Sequence, residues 1–267
     1  MKTFELNNKQ HIPAVGFGVF MIPNDGPTYD ATLAALKAGY RHIDTAAGYM
    51  NESDVGKAIK DSGIDRQDIF ITSKLWLQDY GYENAKKGIE NSLRLLGVDY
   101  IDLYLLHQPY GDYLGAWKAL EEAYEEGKLK SIGISNITVN LWNQFKDGMK
   151  VMPAVNQVEF NPFVQQRELR KVMDENHILL EAWYPLGHGN KELLENPVIC
   201  ELADKYHKNA GQIILRWIYQ EGVISLPKST NPERMKGNID IFDFELNAQE
   251  MEKMRALDTG KPTHNPE

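Results

Sequence analysis

Only one cysteine, Cys200, occurs in 267 residues, so neither an internal disulfide nor a Cys-x-x-Cys pair can form. It falls on an apolar helical pattern with no histidine at a useful spacing and reads as an inert thiol. Long apolar runs are also missing. No stretch approaches the roughly 20 residues that span a bilayer, and the first residues lack the apolar stretch of a secretory signal, so a cytoplasmic protein without a membrane partner is expected. Basic residues are in deficit, 29 against 38 acidic, for a formal net charge of −9. A nucleic-acid binder needs a concentrated basic face, so no nucleic-acid partner is expected. The seven histidines are scattered and no His-Glu-x-x-His occurs, so no metal is expected. There is no Gly-x-Ser-x-Gly nucleophile elbow. Gly16-Phe17-Gly18 stops at two glycines and Gly187-His188-Gly189 lacks the third, which argues against a Rossmann dinucleotide site.

What is present is an alternation of element type. Short β-like runs recur at 14–19, 40–44, 69–73, 100–106, 131–134, 154–158, 178–182 and 223–226, with helical patterns between them. Ala85, Ile89, Leu93 and Leu96 form one apolar stripe, and Trp117, Leu120 and Tyr124 another before Gly127, a C′ candidate. Asn247 with Glu250 resembles a capping box ahead of Met251, Met254 and Leu257, which adds a last helix. Segments 3–6 and 11–13 flank Asn7-Asn8-Lys9 as a hairpin able to close one end. Eight β/α units in about 250 residues match a TIM barrel. The expected fold is therefore a (β/α)8 TIM barrel with an N-terminal β-hairpin cap and additional C-terminal helices. It would form a single domain over residues 1–267, with an open doubly wound sheet as the alternative.

A barrel gathers function at the C-terminal ends of its strands. The residues found there are polar: Asp44, Lys74, His107, Ser135-Asn136, Gln157, Trp183 and Lys228-Ser229, with Tyr49 just past Asp44. A free tyrosine, with a pKa near 10, is a sluggish acid. An ammonium at Lys74 would favour its phenolate, Asp44 would hold that ammonium charged, and a neutral His107 could orient a carbonyl oxygen. Singly, each has an ordinary structural reading as a cap or packing residue, but four compatible groups at consecutive strand ends are hard to explain as unrelated caps. After the last run, Lys228-Ser229-Thr230-Asn231-Pro232-Glu233-Arg234 places Asn231 as N-cap and Pro232 at the first helical position. Exposed N–H groups there, flanked by Lys228 and Arg234, would suit an anion.

Several ordered motifs spanning nearly the whole chain carry a resemblance. They are Gly39-Tyr40-Arg41-His42-Ile43-Asp44-Thr45-Ala46 with Tyr49 downstream, Ser73-Lys74-Leu75-Trp76, Asp102-Leu103-Tyr104-Leu105-Leu106-His107, Gly133-Ile134-Ser135-Asn136, Asn156-Gln157, Pro185-Leu186-Gly187 and Pro227-Lys228-Ser229. With them the chain resembles the aldo-keto reductase superfamily, particularly the short bacterial branch that includes 2,5-diketo-gluconate reductases. The resemblance implies that Tyr49 donates the proton, that Asp44 and Lys74 tune it and that His107 orients the carbonyl. It also implies that Ser135, Asn136 and Gln157 bind the nicotinamide carboxamide and that Trp183 stacks on its ring. Lys228, Ser229, Asn231 and Arg234 match positions holding the adenosine 2′-phosphate, and Asn238 one that contacts adenine. NADPH/NADP+ is the cofactor implied, with Val19, Phe20, Asp44, Leu186 and Gly187 as further contacts.

Some positions depart from the family pattern. Gln108 stands where many members have Trp, Trp183-Tyr184 replaces Tyr-Ser, and Gly237 stands where a glutamate often contacts adenine. The tail, 259–267, is short. A more open, more permissive substrate pocket is therefore expected, lined by Phe20, Trp76, His107, Gln108 and Tyr110. The activity implied is NADPH-dependent reduction of a small aldehyde, ketone, dicarbonyl or keto-sugar by a monomer. A cofactor-bound redox sensor or structural barrel with little turnover is the alternative, and a barrel lyase or hydrolase using the Lys228 region for a substrate phosphate is a third reading.

Overall fold

Strand alternation decides what the interior of this protein contains. The computed structural model describes residues 2–262. A small antiparallel hairpin comes first, β1 (Thr3–Glu5) and β2 (His11–Pro13). Eight parallel strands follow: β3 (Phe17–Gly18), β4 (His42–Asp44), β5 (Phe70–Leu75), β6 (Leu103–Leu106), β7 (Ile132–Ser135), β8 (Val155–Glu159), β9 (Leu179–Trp183) and β10 (Ile224–Ser225). Each pairs with the next in order from β3 to β10. The ring closes where Val15 bridges Ser225 and Gly16 N donates to Ser225 O at 2.8 Å. This is the expected eight-stranded β/α barrel rather than an open sheet.

The two strands at the seam are shorter than their apolar runs, and Gly16 lets this part of the wall lie close to its neighbours. A Cβ on Gly16 would lie 2.6 Å from His42 Nδ1 and 2.7 Å from Leu226 Cδ2. With no side chain there, the His42 ring can sit inside the barrel.

Helices α1 (Pro27–Ala38), α2 (Glu52–Asp61), α3 (Tyr82–Leu96), α4 (Tyr113–Glu125), α5 (Val139–Phe145) and α6 (Arg167–Glu175) follow successive strands. After β9 come the short α7 (Lys191–Leu194), then α8 (Pro197–Tyr206) and α9 (Ala210–Gln220). After β10 come α10 (Pro232–Ile239) and α11 (Ala248–Arg255). The stripes read from the sequence are buried: Ala85, Ile89, Leu93 and Leu96 on α3, Trp117 and Leu120 on α4. Gly127, at φ +78°, takes the left-handed turn beyond α4. The Asn247–Glu250 capping box opens α11.

Outward residues such as Ile43, Ile71, Tyr104, Leu106, Ile134, Val158 and Leu180 join the helices in one continuous core. The inward residues sort by height. Phe70, Leu103, Leu105, Val155 and Ile224 form an apolar floor plugged by Leu6 and Ile12 of the hairpin. Asn7 Nδ2 and Asn8 Nδ2 tie that hairpin to Pro153 O and Lys130 O, each at 2.9 Å. Two residues further along β8 and β9, and four along β5, the same inward face carries Gln157, Glu181 and Lys74. Among the described residues no helix is long and apolar enough to cross a membrane. Of the tail expected to be short, residues 263–267 lie outside the described residues.

Candidate active site

Asp44 ends β4, Lys74 points inward from β5, His107 directly follows β6, and Tyr49 closes a single 3-10 turn, Ala47–Tyr49. Lys74 Nζ donates to Asp44 Oδ1 at 2.7 Å, to Oδ2 at 2.8 Å and to Thr45 O at 2.8 Å, and it lies 3.4 Å from Tyr49 Oη. The Tyr49 and His107 rings meet edge to face at 5.5 Å, and Trp76 also packs edge to face against His107 at 4.8 Å. Residues from three successive β/α units thus share one small volume.

The electrostatics differ in one respect from the sequence expectation. Burial opposes the Lys74 charge, but Asp44 and Tyr49 more than offset it and hold its pKa above the usual lysine value. Burial likewise pushes the Asp44 carboxyl up, against the pull of Lys74 and Gln157. The Tyr49 ring is only partly buried, yet its hydroxyl is packed among protein atoms. That burial pushes it up to about 12, although Lys74 works to lower it. Lys74 was expected to bring the tyrosine below its ordinary value; desolvation outweighs the attraction, because a phenolate loses more hydration here than one shared ammonium returns. His107 is pushed down to about 2 by burial and by Lys74, so its imidazole is neutral.

Tyr49 and His107 line one end of a cavity of about 1140 Å³. Its walls carry Phe20, Asp44, Gln108, Ser135, Asn136, Gln157, Trp183 and Leu186, and it runs to Lys228, Ser229, Arg234 and Asn238. Ser135 Oγ donates to Gln157 O at 2.8 Å. Trp183 Nε1 donates to Asn136 Oδ1 at 2.9 Å, while Asn136 Nδ2 reaches His107 O at 3.3 Å and Gln108 Oε1 at 3.4 Å. At the far end, Lys228 and Arg234 are exposed and have no acidic partner among the described residues.

Six residues expected at the site do not line this cavity, the fully buried Lys74 among them. Val19 is fully buried and gives its carbonyl to Asn51 Nδ2. Trp76 packs edge to face against His107, Tyr110 lies out toward solvent, and Gly187 turns the chain at φ +57°. Asn231 caps α10, accepting from Glu233 N and Arg234 N at 2.9 and 3.1 Å. The cap therefore uses two of the N–H groups expected to be free for an anion.

The sequence reading missed other parts of the wall: Tyr184, His188, Lys191, and Asn209 to Gly211 at the start of α9. The Asn209–Gln212 capping box was a usable local signal for that helix start. Glu181, fully buried behind the wall, was missed as well.

A parallel β/α barrel with this cluster at the C-terminal ends of its strands, opening into a cavity that runs on to Lys228 and Arg234, has the layout of an oxidoreductase. The chain belongs to the aldo/keto reductase family, whose sequence pattern matches residues 15–259. It is similar to glyoxal reductase of Bacillus subtilis, 46% identical over 256 residues that cover 96% of this chain and 92% of the relative. Among solved structures it is similar to MGS-M4, an aldo-keto reductase from a Medee basin deep-sea metagenome library. The TM-score is 0.95 at 43% identity, covering 98% of this chain and 97% of that one. It is also similar to the Bombyx mori aldo-keto reductase solved in complex with NADP, with a TM-score of 0.92 at 32% identity and coverage of 99% and 95%.

Proposed function

We propose that this chain reduces small aldehydes and ketones to alcohols with NADPH, acting as a cytoplasmic, single-domain monomer. The observation that carries the reading is the enclosed Tyr49–Lys74–Asp44 cluster beside a neutral His107. It lies at one end of a cavity whose other end presents two unpaired cations.

The residues present fit the cofactor. Ser135, Asn136 and Gln157 offer amide and hydroxyl partners for a carboxamide, the Trp183 ring offers an aromatic face, and Lys228, Ser229 and Arg234 suit a 2′-phosphate. Asn238 lies in reach of an adenine at that end. When bound, the nicotinamide supplies hydride to the carbonyl carbon. Tyr49 Oη gives its proton to the carbonyl oxygen, and Lys74, itself held by Asp44, stabilises the phenolate as it forms. A tyrosine whose pKa lies near 12 keeps that proton throughout the neutral range. Nδ1 of His107 is buried without a partner, which favours the tautomer with its proton on Nε2, free to donate to the carbonyl oxygen.

Gln108 makes the wall beside His107 polar, and with Phe20 packed on Tyr49 in the same cavity, the pocket suits short carbonyl compounds bearing a second oxygen. The likeness to glyoxal reductase supports α-dicarbonyls as the substrate class. The test is oxidation of NADPH by purified protein, followed by nicotinamide absorbance, across dicarbonyls, keto-sugars and aromatic aldehydes. Turnover is expected with a small dicarbonyl such as methylglyoxal. Cofactor binding without turnover on any carbonyl would favour a redox sensor instead.

A further inference from the structure

Behind the cavity wall lies a carboxyl that the proton and hydride transfers do not use. Glu181 of β9 is completely shielded from water. Strand register sets it beside Gln157 of β8, both pointing into the barrel. Gln157 Nε2 donates to Glu181 Oε2 at 2.7 Å and to Asp44 Oδ2 at 2.9 Å. One primary amide therefore spends both N–H bonds on carboxyl groups from β4 and β9. Its carbonyl oxygen is the only polar atom it has left to offer, and Gln157 lines the cavity.

Without Glu181, Asp44 would still take one N–H. The second N–H would then be free to turn toward the cavity, because the terminal torsion of glutamine is broad. Two acceptors on opposite sides remove that freedom. Glu181 does this in either protonation state, since a protonated carboxyl keeps a carbonyl oxygen. Burial, with Asp44 adding to it, pushes Glu181 up to about 8, so the second acceptor adds little negative charge beside Asp44 at neutral pH. Its other oxygen, Oε1, has no hydrogen-bond partner; His42 Nε2, 3.7 Å away, is engaged with Thr72 Oγ1 at 2.9 Å.

We propose that Glu181 is a positioning residue for cofactor recognition: it pins the Gln157 carboxamide so that only Oε1 faces the cavity, as a fixed acceptor for the nicotinamide's amide N–H. The proposal rests on reading the cavity as the nicotinamide site.

The experiment titrates wild type, Glu181→Gln and Glu181→Met with NADPH and with its 3-acetylpyridine analogue, whose methyl ketone lacks the amide N–H. Binding is read by quenching of tryptophan fluorescence. Wild type is expected to prefer NADPH about 2- to 10-fold, the value of one hydrogen bond. Glu181→Gln keeps an acceptor oxygen and should keep that ratio, while Glu181→Met should bring it close to one. A merely structural role would weaken both ligands equally, and an unchanged ratio in Glu181→Met overturns the proposal. So does a wild type that binds both ligands equally well. A wild type that binds neither overturns the cofactor reading itself.

A crystal structure of the wild-type NADPH complex tests the same point without a substitution, should Glu181→Met fail to fold. Gln157 Oε1 within about 3.5 Å of the carboxamide nitrogen is expected. A Gln157 side chain turned away from the carboxamide overturns the proposal.

Discussion

Lys74 holds both oxygens of Asp44, at 2.7 and 2.8 Å, with the lysine side chain fully buried and the aspartate nearly so. Two charges removed from water are tolerated here because each is the other's main partner. Lys74→Met would leave Asp44 ionised or protonated without its principal donor, and loss of one member of a buried pair costs about 3–5 kcal/mol. Urea unfolding at pH 7 should show a loss of that size.

Tyr49→Phe removes one oxygen and leaves the Phe20 and His107 ring contacts in place. Turnover should fall by about 10²–10⁴, the usual contribution of a positioned acid, while NADPH still binds. Full steady-state activity in this variant would show that another group donates the proton.

Lys228 has no acidic partner among the described residues, so its charge is available to a phosphate. Lys228→Met should weaken NADPH by about 10-fold and NADH by less than about 2-fold, allowing for the weaker value of an exposed charge-assisted bond. Equal weakening in fluorescence titrations would refute a 2′-phosphate at this position.

Gln108 is held through Oε1 by Asn136, which leaves its amide N–H groups for a substrate oxygen. Gln108→Trp should lower kcat/KM for hydroxylated aldehydes by about 2- to 10-fold, one hydrogen bond's worth, with less effect on simple aliphatic ones. A substrate panel measured on both proteins decides this.

His107 and His42 are pushed down to about 2 and about 3 from an ordinary 6.5, both chiefly by burial. Below pH 6.5 the unfolded chain takes up protons that the folded one refuses. Their stabilising contribution is therefore complete above that pH and is lost as pH falls toward 3, by up to about 1.4 kcal/mol per pH unit for each histidine. Glu181, raised to about 8, acts in the opposite direction above 4.5. The useful comparison is thus between proteins: His107→Gln should show a slope of stability against pH shallower by one proton between pH 5 and 6.

Much of the site was legible because barrel geometry converts sequence position into place. Once the runs ending near Asp44, Lys74 and His107 are taken as consecutive strands, their ends must meet at one mouth. Tyr184, His188 and Lys191 were not legible. Tyr184 and His188 lie on an irregular segment, at left-handed φ of +52° and +53°, that leads to Lys191 at the start of the short α7, and no periodic pattern records such a path. Glu181 was visible only as an acidic residue within an apolar run. Nothing local told whether it faced solvent or a second carboxylate.

Sequence alone determined the order of elements, the hairpin that closes one end and which polar groups stand at the strand ends, because period-two alternation and cap residues act over a few neighbouring positions. The tertiary structure alone decided what those groups are chemically. Tyr49 is pushed above an ordinary tyrosine despite Lys74, His107 is neutral, and Gln157 is oriented by two carboxyl groups from β4 and β9. These properties depend on how much water is excluded and on partners as far as 113 residues apart, and only the closed barrel brings them together.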